Sequence, residues 1–138
     1  MKTGKTGGFT LIEIMLVVTI IGILAAVVLP RLAGRGEEAR ISAARLQLEN
    51  FSMALDAFDL DTGHFPASEE GLQALLTKPG NATNWKGPYL KKSIPKDPWG
   101  NLYIYKYPGA HNSDYDLESY GVDGVDGGDN DIENWETK

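Results

Sequence analysis

Three patterns of apolar and polar positions follow one another along the chain. From Phe9 to Leu29 the residues are apolar, interrupted only by Thr10, Glu13, Thr19 and Gly22. At about 1.5 Å per residue, a helix over this run is about 32 Å long, the thickness of a bilayer's hydrocarbon core. From Glu37 to about Asp61 the pattern becomes periodic: Ile41, Ala44, Leu48, Phe51, Leu55 and Phe58 fall at alternating spacings of three and four, on one face of a helix. Arg40, Arg45, Glu49, Asp56 and Asp59 take the other faces. The heptad spacing lasts under three heptads and the later residues offer a sheet to pack on, so the stripe is expected to face a core and not a coiled-coil partner. Pro30 lies between the two patterns and predicts a break or a kink, with Gly22, Gly34 and Gly36 as further weak points. A helix near-continuous from Phe9 to Asp61 would extend for about 80 Å.

Beyond it the elements are short. Thr62-Gly63 is a helix stop, and Ser68 is placed to cap a short helix through about Thr77, with Glu69 and Glu70 in its first turn. Pro79-Gly80 stops that helix, and Asn81 to Pro95 reads as a loop anchored by Trp85 and Tyr89. After the turn Asp97-Pro98-Trp99-Gly100-Asn101, alternation over Leu102–Tyr107 predicts a strand, and Tyr115–Tyr120 a second one, together a hairpin laid on the periodic half of the helix. The fold class is α+β: a long N-terminal helix, membrane-spanning in its first half, packed in its second half on a small antiparallel sheet.

Charge sharpens this picture at both ends. A carboxylate inside a membrane segment costs about 2.5–3.5 kcal/mol, so Glu13 needs a partner. Ahead of the run lie eight residues with Lys2, Lys5 and no acid, a targeting leader. One reading is a secretory signal cut beyond the run, at Ala25-Ala26 or Ala33-Gly34. The other is a cut between Gly8 and Phe9, whose new amine, on the same chain or a neighbour, would pair with Glu13. Arg31 and Arg35 on the far side leave the positive-inside count ambiguous.

At the other end, Asp114 to Lys138 holds nine carboxylates, one lysine and four glycines. Such a segment is either a solvated acidic tail or a set of oxygen ligands for a hard cation such as Ca²⁺. It contains no EF-hand spacing. The formal net charge of −6 argues against nucleic-acid partners, and the absence of cysteine excludes disulfides. His64 and His111 have no serine, cysteine or zinc-ligand constellation around them, so an enzyme is not expected.

The basic leader ending in Gly8, followed by Phe-Thr-Leu-Ile-Glu and a long apolar helix, resembles the type IV prepilin class. Gly63-His64-Phe65-Pro66, Glu70-Gly71-Leu72-Gln73-Ala74-Leu75, Asp97-Pro98-Trp99-Gly100-Asn101 and the tail ending Asn134-Trp135 are similar to the major pseudopilins of the bacterial type II secretion system. The resemblance implies a pilin-like division: residues 1–8 a prepilin leader, 9–29 a transmembrane and assembly helix, 30–61 its amphipathic continuation, and 62–138 a globular head with short helix, β-hairpin and calcium loop. It implies cleavage after Gly8, N-methylation of Phe9 by the prepilin peptidase, and assembly through Glu13 into a homopolymeric periplasmic pseudopilus. The partners implied are minor pseudopilins and the inner-membrane assembly platform. The precursor would sit in the inner membrane, N-terminus cytoplasmic and head periplasmic.

The implied calcium ligands are Asp123, Asp129 and Asp131, with the backbone carbonyls of Tyr120 and Val125. The loop is shorter than usual between Asp123 and Ile132, so Asp126 is an alternative ligand. Trp135 would dock on the head and close the loop. Two other functions compete: a membrane-tethered, calcium-dependent binding module and a type IV pilus subunit. Pilins of retractile fibres usually close their tail with a disulfide, which this chain cannot form.

Overall fold

The structure is a computed structural model that describes residues 7–135, the side chains of residues 30–33 excepted. The first six leader residues, with Lys2 and Lys5, lie outside the described residues, as does the end of the tail. The chain forms two compact units, Met1–Glu38 and Ala39–Lys138.

Helix α1 covers Leu11–Thr62. Pro30 does not end it. The proline costs one backbone hydrogen bond and about 3 kcal/mol, and the helical turns on either side persist. In the first unit, fifteen large apolar side chains between Phe9 and Leu29 are exposed. An 18-residue window of this helix has a mean hydropathy of 2.9, with none of it buried within the chain. Length and composition fit a membrane anchor.

In the second unit α1 supplies the core. Ala44, Leu48, Phe51, Ala54, Leu55 and Phe58 are buried, the predicted stripe plus Ala54, and Ile41 packs at its edge. They meet Leu72, Leu75, Tyr103, Tyr115, Leu117 and Ile132. Phe51 stands edge-on to Tyr103 at 5.1 Å, and Phe58 to Tyr89 at 5.6 Å. Each fully buried Leu or Phe contributes about 1.5–3 kcal/mol. The helix ends as expected: Gly63 takes φ 81° and donates its N–H to the Asp59 carbonyl at 2.7 Å.

The sheet has three strands in the order β1-β2-β3, all antiparallel: β1 is Ile104–Lys106, β2 Asp116–Ser119 and β3 Ile132–Glu133. The expected hairpin is present with shorter strands, Tyr105 opposite Leu117, and β3 is an addition from the acidic tail. The helix expected from Ser68 is replaced by a single 3-10 stretch, Gly71–Leu75. Ser68 does not cap it. Its hydroxyl donates to the Tyr107 carbonyl and accepts the Tyr107 N–H, both at 2.8 Å, satisfying the backbone just past β1. Glu70 accepts the Ala67 N–H at 3.0 Å, and Gly71, at φ 58°, interrupts a regular helix start. The loop after it is anchored by Trp85, which donates to the Ala74 carbonyl at 3.1 Å, and by Tyr89, which donates to Asp61 at 2.9 Å.

Candidate functional site

Two regions carry chemistry. At the N-terminal end Gly8 and Phe9 precede α1 in exposed, non-helical backbone, Phe9 being 84% exposed. Thr10 and Glu13 form a capping box: the Glu13 N–H donates to the Thr10 hydroxyl at 3.3 Å, and the Glu13 carboxylate accepts the Thr10 N–H at 3.3 Å. The lone carboxylate of the apolar run is thus held at the first turn of its own helix, where the dipole favours it. The Thr-x-x-Glu spacing was visible in the sequence, although only the charge of Glu13 drew attention there.

The second region is the tail, built up from a buried polar base. Asp97 is 5% exposed and accepts three hydrogen bonds: from the Asn101 N–H at 2.7 Å, the Trp99 N–H at 3.1 Å and the Ser119 hydroxyl at 2.6 Å. Ser119 in turn accepts the Gly121 N–H at 3.3 Å, and the Asn101 side chain donates to the Gly121 carbonyl at 3.0 Å. Gly121 is held from both sides at the start of the loop. Its φ of 61° favours glycine, and a Cβ there would run into the Asn130 carbonyl.

The far end of the loop is tied to β2. The Asn134 N–H donates to the Leu117 carbonyl at 2.9 Å, and the Asn134 side chain accepts the Leu117 N–H at 2.9 Å. Trp135 stacks on His111, ring centres 4.3 Å apart, so it docks as expected. His111 also pairs with Asp116 at 3.0 Å. Burial pushes the Asp116 carboxyl up, but the N–H groups of Asn112, Ala110 and His111 outweigh it and hold the carboxyl below the usual range.

Within the loop, Glu118, Asp126 and Asp131 can place one carboxylate oxygen each within 4.8 Å of one another. Asp131 was expected in such a group and Asp126 was the alternative; Glu118, on β2, was not foreseen. Asp123 and Asp129 are not in this group. Asp123 accepts the Val125 N–H at 3.1 Å within an exposed turn, and Asp129 is exposed. Tyr120 follows β2 directly, and Val125 is 61% exposed. Partial burial, then the charges of Asp126, Asp131, Glu133 and Asp116, push the Glu118 carboxyl up to about 7. Asp131 Oδ2 accepts the Gly127 N–H at 2.8 Å, whereas its Oδ1 is buried with no hydrogen-bond partner. An orphaned buried carboxylate oxygen within a concentrated negative field suits a hard divalent cation.

Comparison with known proteins gives matches over both the N-terminal segment and the rest of the chain. Residues 31–135 match the family "Type II secretion system (T2SS), protein G", and residues 4–29 match the "Prokaryotic N-terminal methylation motif". The type II secretion system core protein G of Pseudomonas aeruginosa is 46% identical, the similarity covering 99% of each chain. That of Vibrio cholerae is 44% identical over 97% of this chain and 94% of its own. The crystal structure of the major pseudopilin from the type 2 secretion system of enterohaemorrhagic Escherichia coli superposes with a TM-score of 0.67 at 34% identity, over 77% of this chain and 95% of the other. The chain therefore belongs to the protein G family of the type II secretion system, the major pseudopilins, and is a structural subunit of the pseudopilus.

Proposed function

We propose that the chain is made as an inner-membrane precursor, N-terminus cytoplasmic, cleaved between Gly8 and Phe9 and methylated on the new Phe9 amine by the prepilin peptidase. In this division residues 1–8 are the leader, 9–29 the membrane and assembly segment, 30–61 its amphipathic continuation and 62–138 a periplasmic head. The exposed Gly8–Phe9 bond ahead of a helix that buries none of its apolar half within its own chain carries this reading. Those side chains need lipid before assembly and other copies of themselves afterwards, so the subunit has a reason to leave the bilayer only into a filament. The Phe9 amine of a subunit already placed is the natural cation for the Glu13 carboxylate of the next, because low dielectric strengthens that pairing. Minor pseudopilins and the inner-membrane assembly platform complete the partner set. The role proposed is structural.

The acidic loop is proposed to bind Ca²⁺, which supplies positive charge that lets the carboxylates lie close together. The resemblance names Asp123, Asp129 and Asp131, with the carbonyls of Tyr120 and Val125; the orphaned Asp131 oxygen supports Asp131 among them. Two measurements test the proposal. Mass spectrometry of chain co-produced with a prepilin peptidase should find a methylated Phe9 at the N-terminus, and an intact leader or a cut near Ala26 refutes the processing scheme. Thermal unfolding at calcium a hundredfold above its dissociation constant should show about 2.7 kcal/mol of added stability relative to chelator, and superimposable melts refute the metal.

A further inference from the structure

We propose that Leu46, Met53 and Leu60 form a ridge on the second half of α1 that is buried against a second copy of the chain in the filament. This inference rests on the assembly reading above. The three side chains are 58%, 63% and 86% exposed, although they are large and apolar and belong to the helix that supplies the core. A spacing of seven falls about 20° short of two helical turns, so they form one line along α1. Phe51, Leu55 and Phe58, all fully buried, lie on the opposite face. One exposed apolar residue on a helix needs no explanation, but three in register with a polar rim mark an interaction surface.

The surroundings of the ridge suit a packed contact. Arg45, Glu49 and Asp56 stand exposed along one side of it, and Ala39, Ala43, Asn50 and Ala57 along the other. The second side is uncharged and mostly small, so another backbone can come close there while the charged side stays in water. A cleft of about 620 Å³ borders Met53 and is lined also by Ser52, Asp56, Glu133 and Asn134. Another, of about 570 Å³, lies past Asn50 and is lined by Gln47, Tyr89 and Leu90. A ridge between two grooves is the shape on which a further helix interdigitates. Its size selects the occupant. Leu46, Met53, Leu60 and the three alanines are far fewer than the roughly 20–30 residues a side of a stable complex between free proteins. A second copy does not arrive free. The exposed apolar run ending at Leu29 must itself be covered by other subunits, and only the stretch from Pro30 to Glu38 separates it from Ala39. Tethering over so short a stretch holds neighbouring copies at an effective concentration of about millimolar, where a small contact forms.

The chain contains no cysteine, so a single introduced thiol reports the ridge. Met53→Cys is compared with Leu102→Cys, at an apolar residue outside α1 that is 65% exposed. Each is co-produced with excess wild type in cells that carry a type II secretion system, and maleimide labelling is timed in sheared filaments and in the full chain in detergent micelles. Assembly should slow labelling of Met53→Cys at least about tenfold and of Leu102→Cys less than about threefold, since the centre of a packed contact excludes solvent. Met53→Glu, produced alone, should melt in micelles as wild type does and give no filaments, and Met53→Leu should restore them. Unslowed labelling of Met53→Cys, equal slowing at Leu102→Cys, or wild-type filaments from Met53→Glu overturns the ridge as an interface. Protection present in whole cells and lost in purified filaments means a different partner and overturns the second copy as occupant. Absence of filaments from the wild type refutes homopolymerisation itself.

Discussion

Replacing Asp97 by alanine tests whether the polar base beneath the loop organises the second unit. The carboxylate accepts hydrogen bonds from the Asn101 N–H at 2.7 Å, the Trp99 N–H at 3.1 Å and the Ser119 hydroxyl at 2.6 Å, and it is 5% exposed. Hydrogen bonds to a charged group contribute about 1.5–3 kcal/mol each, and buried donors left behind carry their own desolvation penalty. Three such bonds would sum to well over 4 kcal/mol. They act as a unit, and part of the turn re-solvates once the carboxylate is gone, so about 4 kcal/mol is the expected loss. For a unit of 100 residues, Ala39–Lys138, that lowers the melting temperature by about 15 °C or more. Asp97→Asn keeps one acceptor oxygen for the two backbone N–H groups, and the Ser119 hydroxyl can rotate to accept from the amide, so its cost should stay below about 1.5 kcal/mol. The assay is thermal unfolding of the full chain in micelles with chelator present, followed by circular dichroism. A drop below about 4 °C for Asp97→Ala, or equal drops for the two variants, refutes the account.

Three shorter predictions follow from the same geometry. Glu13→Gln keeps an oxygen to cap Thr10 but loses the charge; it should insert in membranes and give no filaments in a shearing assay, whereas filaments at wild-type level contradict the pairing with Phe9. Burial and neighbouring carboxylates raise the folded Glu118 pKa to about 7, above its value of 4.5 as a free side chain. Its contribution in metal-free protein is therefore full below about pH 4.5 and lost as the pH rises through about 7; Glu118→Gln should flatten that part of the stability profile in chelator, and parallel profiles count against the carboxylate cluster. Gly121→Ala places a Cβ against the Asn130 carbonyl at a φ of 61° and should cost about 1–3 kcal/mol in denaturant unfolding; a neutral result means the loop start is looser than described.

What the sequence disclosed depended on whether a signal was local. The stripe from Ile41 to Phe58 repeats within one helix and needs no knowledge of its partners, so it was legible. So was the β1–β2 hairpin, from the alternation around Tyr105 and Leu117. Ser68 was misread because its real partner, Tyr107, lies 39 residues away, while the capping pattern sits beside it. Strand β3 is two residues long and surrounded by acids, too short for any period to register. Glu118 was missed for a related reason: an acid in a strand reads as a solvent-facing position, and only the register with Glu133 and the fold of the loop place it near Asp126 and Asp131.

Asn134 has a mechanical consequence for the tail. Its side-chain amide and its backbone together take up both main-chain groups of Leu117, continuing the sheet past Ile132–Glu133 with a side chain standing in for a peptide bond. Gly121 is pinned at the near end by Ser119 and Asn101. The acidic segment is therefore a strap buckled at both ends before any ion arrives. A protease acting on chelated protein should nick it between Val122 and Asp129, yet the severed end should stay on the sheet, because the buckles are made of amides and not of metal.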